Sequence, residues 1–276
     1  MSFVNRQALR FFLLTFLFSW LLWLPGVLIT QGLLPPGARL KAVAGVCNWV
    51  AGTGPSLVAL LLVLASGGKP AVRRIFARVL QARLGPWYWP TFLLLPVIIV
   101  AAHLVNLELF HVPFPRTGLL AEPWWIPVVF ALCFLMQFGE ELGWRGYALD
   151  LLQTRWNALL SSLILGAAWA LWHLPMFLSN GFGHHDYHLP FGQFCLTLIL
   201  VSILVTWLQN NTDQSLVPAF VLHAMVNLSG EVLPLLDKKR DIQGDCRVWM
   251  IVNILLFLAA VAVVGRWGHR RMIRER

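Results

Sequence analysis

The sequence predicts an all-α, polytopic membrane protein of about eight spans, and three observations carry that prediction. Of the 276 residues, 58% are hydrophobic and 12% charged, with a mean hydropathy of +0.71, whereas soluble domains carry about a quarter charged residues. Eight apolar segments are separated by short polar stretches, and about 20 apolar residues suffice to cross a bilayer. These segments are too long and too uniformly apolar to be barrel strands, so lipid forces them into helices that satisfy their own backbone groups. No room remains for a separate soluble domain, and residues 1–276 are read as a single membrane domain.

The first segment, Leu9 to Thr30, follows Arg6 and Arg10 and lacks a small-residue cleavage signature, so it reads as a retained span and not a signal peptide. Ala42 to Ser66 is the second. Beyond it Val72, Ile75, Phe76, Val79 and Leu80 recur at helical spacing, with Arg73, Arg74 and Arg78 on another face. That pattern predicts an amphipathic helix on the cytoplasmic membrane surface. The remaining spans are Tyr88 to Leu109, Trp124 to Leu152, Ala158 to Leu178, Phe191 to Gln209, Ser215 to Leu236 and Val248 to Arg266. The fourth carries charge in its second half and the seventh is the least hydrophobic. Trp87, Trp89, Trp124, Trp125, Trp207, Trp249 and Trp267 fall near span ends, as an interfacial aromatic belt requires.

The net charge of +9 sits at the ends of apolar segments, where anionic headgroups attract it, and so argues for membrane orientation and against a nucleic-acid partner. An even number of spans puts both termini on one side. That side collects Arg6, Arg10, the loop from Lys69 to Arg83, Arg145, Arg155 and the tail from Arg266 to Arg276. The other holds Arg39, Lys41, Arg116, Lys238, Lys239, Arg240 and Arg247. The positive-inside rule then places both termini in the cytoplasm, although the run 238–240 argues the other way. Cys47, Cys133, Cys195 and Cys246 show no close pairing, and no internal repeat of the transporter kind is visible.

Ionisable groups inside a span cost a few kcal/mol, so each needs a partner or a purpose. Glu141 and Arg145 stand four apart with the acid first, the favourable order for a helical ion pair. Glu140 projects about 100° away and is left facing the neighbouring helices. The fifth segment supplies Trp169 and His173, followed by Pro175; the seventh supplies His223 and Asn227, again four apart. With a rise of about 1.5 Å per residue, all four polar side chains reach one layer of the bilayer. A carboxylate, two imidazoles and an amide can activate water and hold an oxyanion, which suits hydrolysis. The set Glu140, His173 and His223 could equally ligate Zn2+ or another divalent metal, with a position open to water, and the chemistry can be drawn without a metal.

The motifs Glu140-Glu141-x-x-x-Arg145, Trp169-x-x-x-His173 with Pro175, and His223-x-x-x-Asn227 resemble, in order, those of the CAAX-protease and bacteriocin-processing (CPBP, or Abi) family of membrane endopeptidases. The likeness covers a core over residues 124–236, and the basic loop leading into Gly85, Pro86 and Trp87 also resembles family members. The resemblance implies an eight-helix intramembrane protease in a bacterial cytoplasmic membrane, often described as a metalloprotease although a glutamate-only mechanism has also been argued. It implies that Glu140 activates water, that Glu141 pairs with Arg145, that His173 positions or protonates, and that His223 with Asn227 stabilises the oxyanion. For a bacterial source the substrate expected is a membrane-associated peptide or protein and not, despite the family name, a prenylated CAAX protein. Two other classes fit the same residues: a non-catalytic immunity or scaffold protein, and a proton-coupled transporter using the ionisable groups as a relay. The loop with His184, His185, Asp186 and His188 is a weaker candidate for a surface metal site, because its spacing fits no closed ligand set.

Overall fold

The computed structural model describes residues 3–35, 37–115, 117–186, 188–235 and 242–273, and over these the chain is helical with no strand. Arg116, Lys238, Lys239, Arg240, Arg274 and Arg276, which enter the charge balance, lie outside the described residues. Helix α1 spans Phe3–Thr30, α2 Ala38–Ala51, α3 Gly54–Val79 and α4 Tyr88–Phe110. Then come α5, Ile126–Met136, and α6, Glu141–Gln153, which includes a π-helical stretch at Trp144–Ala148. The chain closes with α7 Ala158–Trp172, α8 Phe191–Asn211, α9 Val217–Val232 and α10 Ile242–Trp267.

Among the described residues five helices are long and apolar enough to cross a membrane, and six if the bent pair Pro123–Gly139 and Glu141–Gln153 forms one span. The chain is therefore an integral membrane protein; by length and composition five or six helices among the described residues are full spans, and the count of eight is not confirmed. The two other apolar segments form short helices. Helix α7 has 15 residues and α9 has 16, about 23 Å at the α-helical rise against a hydrocarbon core of about 30 Å. Pro175 follows the end of α7, and Pro234 lies just beyond α9; the fixed φ and missing N–H of proline oppose continuation.

The expected second span, Ala42 to Ser66, is split. Gly52 and Thr53 interrupt it, and α3 restarts with Pro55 in its first turn, where a missing N–H is harmless. Helix α3 then continues past the apolar segment through a kink at Gly68, whose φ of 62° favours glycine. Beyond the kink Arg73 and Arg74 are exposed while Ile75 and Val79 are buried, so the amphipathic segment is helical as its spacing predicted.

Two other expectations are corrected by packing. Trp207 and Trp249 are buried and not interfacial anchors: Trp207 meets Trp87 and Trp267 ring to ring, and the Trp249 indole donates to Thr197 at 2.7 Å. Trp89, Trp124 and Trp125 are exposed, as a belt requires. Arg145, counted with the cytoplasmic basic residues, is buried inside the bundle because a carboxylate one turn away neutralises it.

Three contacts fix the helices that carry the polar layer. A Cβ on Gly143 would collide with the Pro55 carbonyl, so α6 lies directly on the start of α3. On Gly166 it would sit 2.6 Å from Ile199 Cα, which lets α7 lie close along α8. The third is Arg78 at the end of α3, which donates to Asp150 at 2.6 Å, to the Gly146 carbonyl at 3.3 Å and to the Gln214 carbonyl at 2.7 Å. The amphipathic segment is thus tied both to α6 and to the turn that leads into α9.

Overpacking a filled contact costs about 1–3 kcal/mol. Gly143→Ala should lower the thermal unfolding temperature in detergent accordingly, whereas Gly265→Ala, where an added Cβ meets nothing within 4 Å, should leave it unchanged or raise it. Equal shifts in the two variants would contradict the close approach of α6 and α3.

Candidate active site

The polar layer is built on the break between α5 and α6. After α5 a short 3-10 turn runs through Gln137–Gly139, and Glu140 adopts φ −120° and ψ −50° at the junction, where the two limbs bend by 49°. The break changes how the two adjacent acids are presented. Glu141, at the start of α6, points into the bundle and is 0% exposed. Glu140 is half-buried and lines a cavity.

Glu141 is the hub of the buried set. Its Oε1 accepts from Arg145 Nη1 at 2.7 Å and lies 2.7 Å from His223 Nδ1. A carboxylate only accepts when ionised, so Nδ1 of His223 carries a proton toward Glu141. The Arg145 guanidinium also lies 4.1 Å from the centre of the Trp169 ring, a distance suited to cation–π attraction. Its carbonyl accepts from Gln209 Nε2 at 3.1 Å, which ties the π-helical stretch to α8.

Trp169 joins the two halves of the site. Its indole N–H donates to Glu140 Oε2 at 2.7 Å, and Trp144 donates to the same oxygen at 3.3 Å. Its backbone carbonyl accepts from His173 Nδ1 at 2.8 Å. His173 follows the last residue of α7, where carbonyls lack helical partners, so its imidazole satisfies one of them and is fixed in orientation. The His223 ring stands 4.9 Å from Trp169 on another side. Four of the six residues singled out in the sequence, Glu140, Arg145, His173 and His223, thereby meet Trp169, and Glu141 is joined to it through Arg145 and His223.

The sixth, Asn227, lies one turn beyond His223 and makes no hydrogen bond to this cluster among the described residues. It faces the same cavity as Glu140. That cavity holds about 1150 Å3 and reaches Ile29, Thr30, Lys41 and Asn180.

Three contributors were not assigned a role from the sequence. Trp144 was visible within the glutamate motif, but nothing in its spacing told that its indole would share an oxygen with Trp169. Arg78 and Asp150 form a pair 72 positions apart, which no local pattern reports. The His-rich loop turns inward at one residue: the His184 ring lies 5.8 Å from His173 and 5.1 Å from Phe194. Burial there pushes its imidazole down to about 4.

Among the described residues, no group of three or more His, Cys, Asp or Glu side chains is arranged to hold a metal ion, and Glu140, His173 and His223 are included in that statement. Both imidazoles have Nδ1 bonded and Nε2 open. That disposition serves proton transfer as well as ligation.

Residues 122–229 match the family described as Type II CAAX prenyl endopeptidase Rce1-like. The chain is 26% identical over 272 residues to a protein of Methanococcus maripaludis named CAAX prenyl protease 2, with 92% of each chain covered.

Removing one partner of a buried pair strands the other charge, at a cost of about 3–5 kcal/mol. Arg145→Met should therefore destabilise the protein strongly in detergent, while Glu140→Gln, at a half-buried position with only hydrogen-bond acceptance to lose, should change stability little. The reverse order in a thermal denaturation series would overturn the division of roles between the two acids.

The His184 imidazole is neutral when folded and ordinary, near 6.5, when unfolded. Its contribution to holding the loop is complete above that value and is lost as the pH falls from 6.5 toward 4. Hydrogen exchange in residues 181–190 should rise across this window in the wild type and stay flat in His184→Phe.

Proposed function

We infer that this chain is a CAAX-type prenyl endopeptidase acting within the membrane, taking as premise the match of residues 122–229 to the Type II CAAX prenyl endopeptidase Rce1-like family. The observation that carries the reading is Glu140: a carboxylate oriented by two indole N–H groups on one oxygen, at the wall of a large and mostly apolar cavity. Such a cavity suits an apolar chain attached to a peptide better than it suits an ion or a small polar solute. The substrate proposed is a prenylated peptide bearing the CAAX sequence.

With Trp169 and Trp144 occupying Oε2, Glu140 Oε1 remains available to accept a proton from water. Glu140 takes that proton as the water oxygen attacks the scissile carbonyl, and the resulting tetrahedral oxyanion needs donors. The Asn227 amide, on the same cavity wall, supplies one, and His223 in its protonated form supplies another through Nε2, with the charge held by Glu141. Collapse of the intermediate returns the proton from Glu140 to the departing amine. His173, braced on the Trp169 carbonyl, keeps the indole in place and offers Nε2 to the same proton path. Every step uses side chains alone, and Glu141 with Arg145 remains unchanged throughout.

A general base contributes about 10^2–10^4 in rate, and one oxyanion donor about 10^2–10^3. Glu140→Ala should abolish cleavage of a farnesylated CAAX peptide by the purified chain, and Asn227→Ala should reduce kcat by the second factor with KM little changed. Prolonged dialysis against a chelator should leave the wild-type rate intact. Loss of activity that zinc restores would instead place a metal among Glu140, His173 and His223, and full activity in Glu140→Ala would remove the proposed base.

A further inference from the structure

The amphipathic end of α3 takes no part in the chemistry above, and its two faces meet different surroundings. Before the kink at Gly68 the large exposed side chains of α3 are Leu57, Leu61 and Leu64, a face that hydrocarbon accepts. Beyond the kink the exposed side chains turn cationic: Lys69, Arg73, Arg74 and, past the helix end, Arg83. None of these four makes an ion pair among the described residues. Phe76 and Leu80 stand exposed between them, Leu80 at 83%. Lys69, Arg73, Phe76 and Leu80 recur three or four apart and so share one side of the helix. Cations interleaved with large exposed apolar side chains fit the depth at which lipid tails give way to headgroups.

The inner face is bound to the two helices that carry the polar layer. Ile75 and Val79 pack in one buried cluster with Leu142, the neighbour of Glu141 in α6, and with Leu216 and Phe220 at the start of α9. The end of the segment then grips the turn 212–216. The Leu216 N–H donates to the Arg78 carbonyl at 3.0 Å, the Ser215 hydroxyl to the Gln81 carbonyl at 2.6 Å, and the Gln81 amide to the Asp213 carbonyl at 3.3 Å. These add to the Arg78 contacts with Gln214 and Asp150. Helix α9 begins at Val217, directly after this turn, and carries His223 and Asn227. The turn holds one carboxylate, Asp213, against the four cations of the outer face.

We propose that the outer face of residues 69–83 is a docking surface for anionic lipid headgroups, and that headgroups seated there hold the turn 212–216 against α3, and with it the start of the helix that carries His223 and Asn227. The partner is a lipid phosphate fixed in the plane of the bilayer and not a free anion, because Phe76 and Leu80 among the cations call for tails beside the phosphate. Each lysine or arginine near the surface adds to the attraction, so the four together distinguish a bilayer rich in anionic lipid from a neutral one. The docking surface assumes nothing about the reaction; its effect on cleavage rests on the proteolytic reading above.

The test places the full chain in vesicles of phosphatidylcholine alone and with a rising fraction of phosphatidylglycerol. Amide hydrogen exchange in residues 212–218 of the wild type should slow as the anionic fraction rises, and high salt should reverse the change. The double variant Arg73→Gln with Arg74→Gln alters two exposed residues that do not line the cavity. It should match wild type in neutral vesicles and need about 30-fold more phosphatidylglycerol for the same protection, at roughly a factor of five for each cation. Arg73→Lys with Arg74→Lys should keep the wild-type response. No slowing in wild type, or slowing that persists in the double glutamine variant, overturns the proposal. Faster exchange of that variant already in neutral vesicles would make the arginines structural and overturn it too. So would equal slowing by glycerol phosphate added to neutral vesicles, which would mark a site for free anions. With the farnesylated CAAX peptide at saturation, kcat should rise with the anionic fraction in wild type and stay flat in the double glutamine variant. Slowed exchange with a flat kcat in wild type would break the link to His223 and Asn227. Slowed exchange with no cleavage in any vesicle would retain the docking surface and sink the protease reading.

Discussion

A carboxylate with no solvent exposure is the constraint on which the site depends. Glu141 is removed from water entirely, and an ionised group in such surroundings survives only with charge and hydrogen bonds arranged around it. Arg145 supplies the charge from one turn along the same helix, and His223 supplies a second donor from α9. The arrangement still leaves Glu141 Oε2 and two nitrogens of Arg145 without partners among the described residues. A buried guanidinium in that state needs other stabilisation, and the face of Trp169 at 4.1 Å provides it. The position of Trp169 is therefore set from below by the ion pair before its indole ever meets Glu140.

This order of dependence separates two kinds of residue that lie side by side in sequence. Glu141, Arg145 and the Trp169 ring form a buried frame with no route to the cavity. Glu140 and Asn227 face the cavity, and Glu140 is restrained only through its Oε2 by the two indoles. The two histidines connect the layers: each gives Nδ1 to the frame, one to Glu141 and the other to the Trp169 carbonyl, and each keeps Nε2 open. A straight helix through positions 140 and 141 would turn the acids about 100° apart and no more. The break at Glu140 and the 49° bend give the first acid an exit toward the cavity while the second stays in the frame.

How much of this was legible depended on whether the signal was local. The all-helical class and the membrane followed from composition, and the Glu141–Arg145 pair from a spacing of four. The convergence of α6, α7 and α9 on one layer followed from the rise per residue, because a polar group in lipid has nowhere else to find a partner. Features set by contacts between distant positions were not visible. The split of the second span at Gly52 is understandable once Pro55 is seen to begin a helix, yet the apolar run across it gives no warning. Trp207 and Trp249 had the positions of interfacial anchors, and only the neighbours they meet decide that they are buried. Arg145 was paired with Glu141 by spacing and also counted among the cytoplasmic charges, and its burial removes it from that count. The segments of α7 and α9 read longer in sequence than their helices run, because apolar residues continue past the points where the helices end.

The lower half of the bundle has its own logic, and it bears on how the site is held. Arg78 belongs to a basic, amphipathic segment separated by the Gly68 kink from the rest of α3, and its guanidinium reaches α6 and the turn before α9 at once. Helix α6 carries Glu141 and Arg145; helix α9 carries His223 and Asn227. The contact at the Gly146 carbonyl falls within the π-helical stretch, where one residue more than an α-turn is accommodated and a carbonyl is displaced from its normal partner. An irregular stretch inside a helix tends to be retained where it aims a functional side chain, and here it begins at Trp144, whose indole shares the oxygen of Glu140 with Trp169. The same few residues thus set the angle between the two helices and the direction of the acid. The geometry of Glu140 is in this sense a property of the whole bundle, reached through the ion pair beneath it and the arginine at its edge.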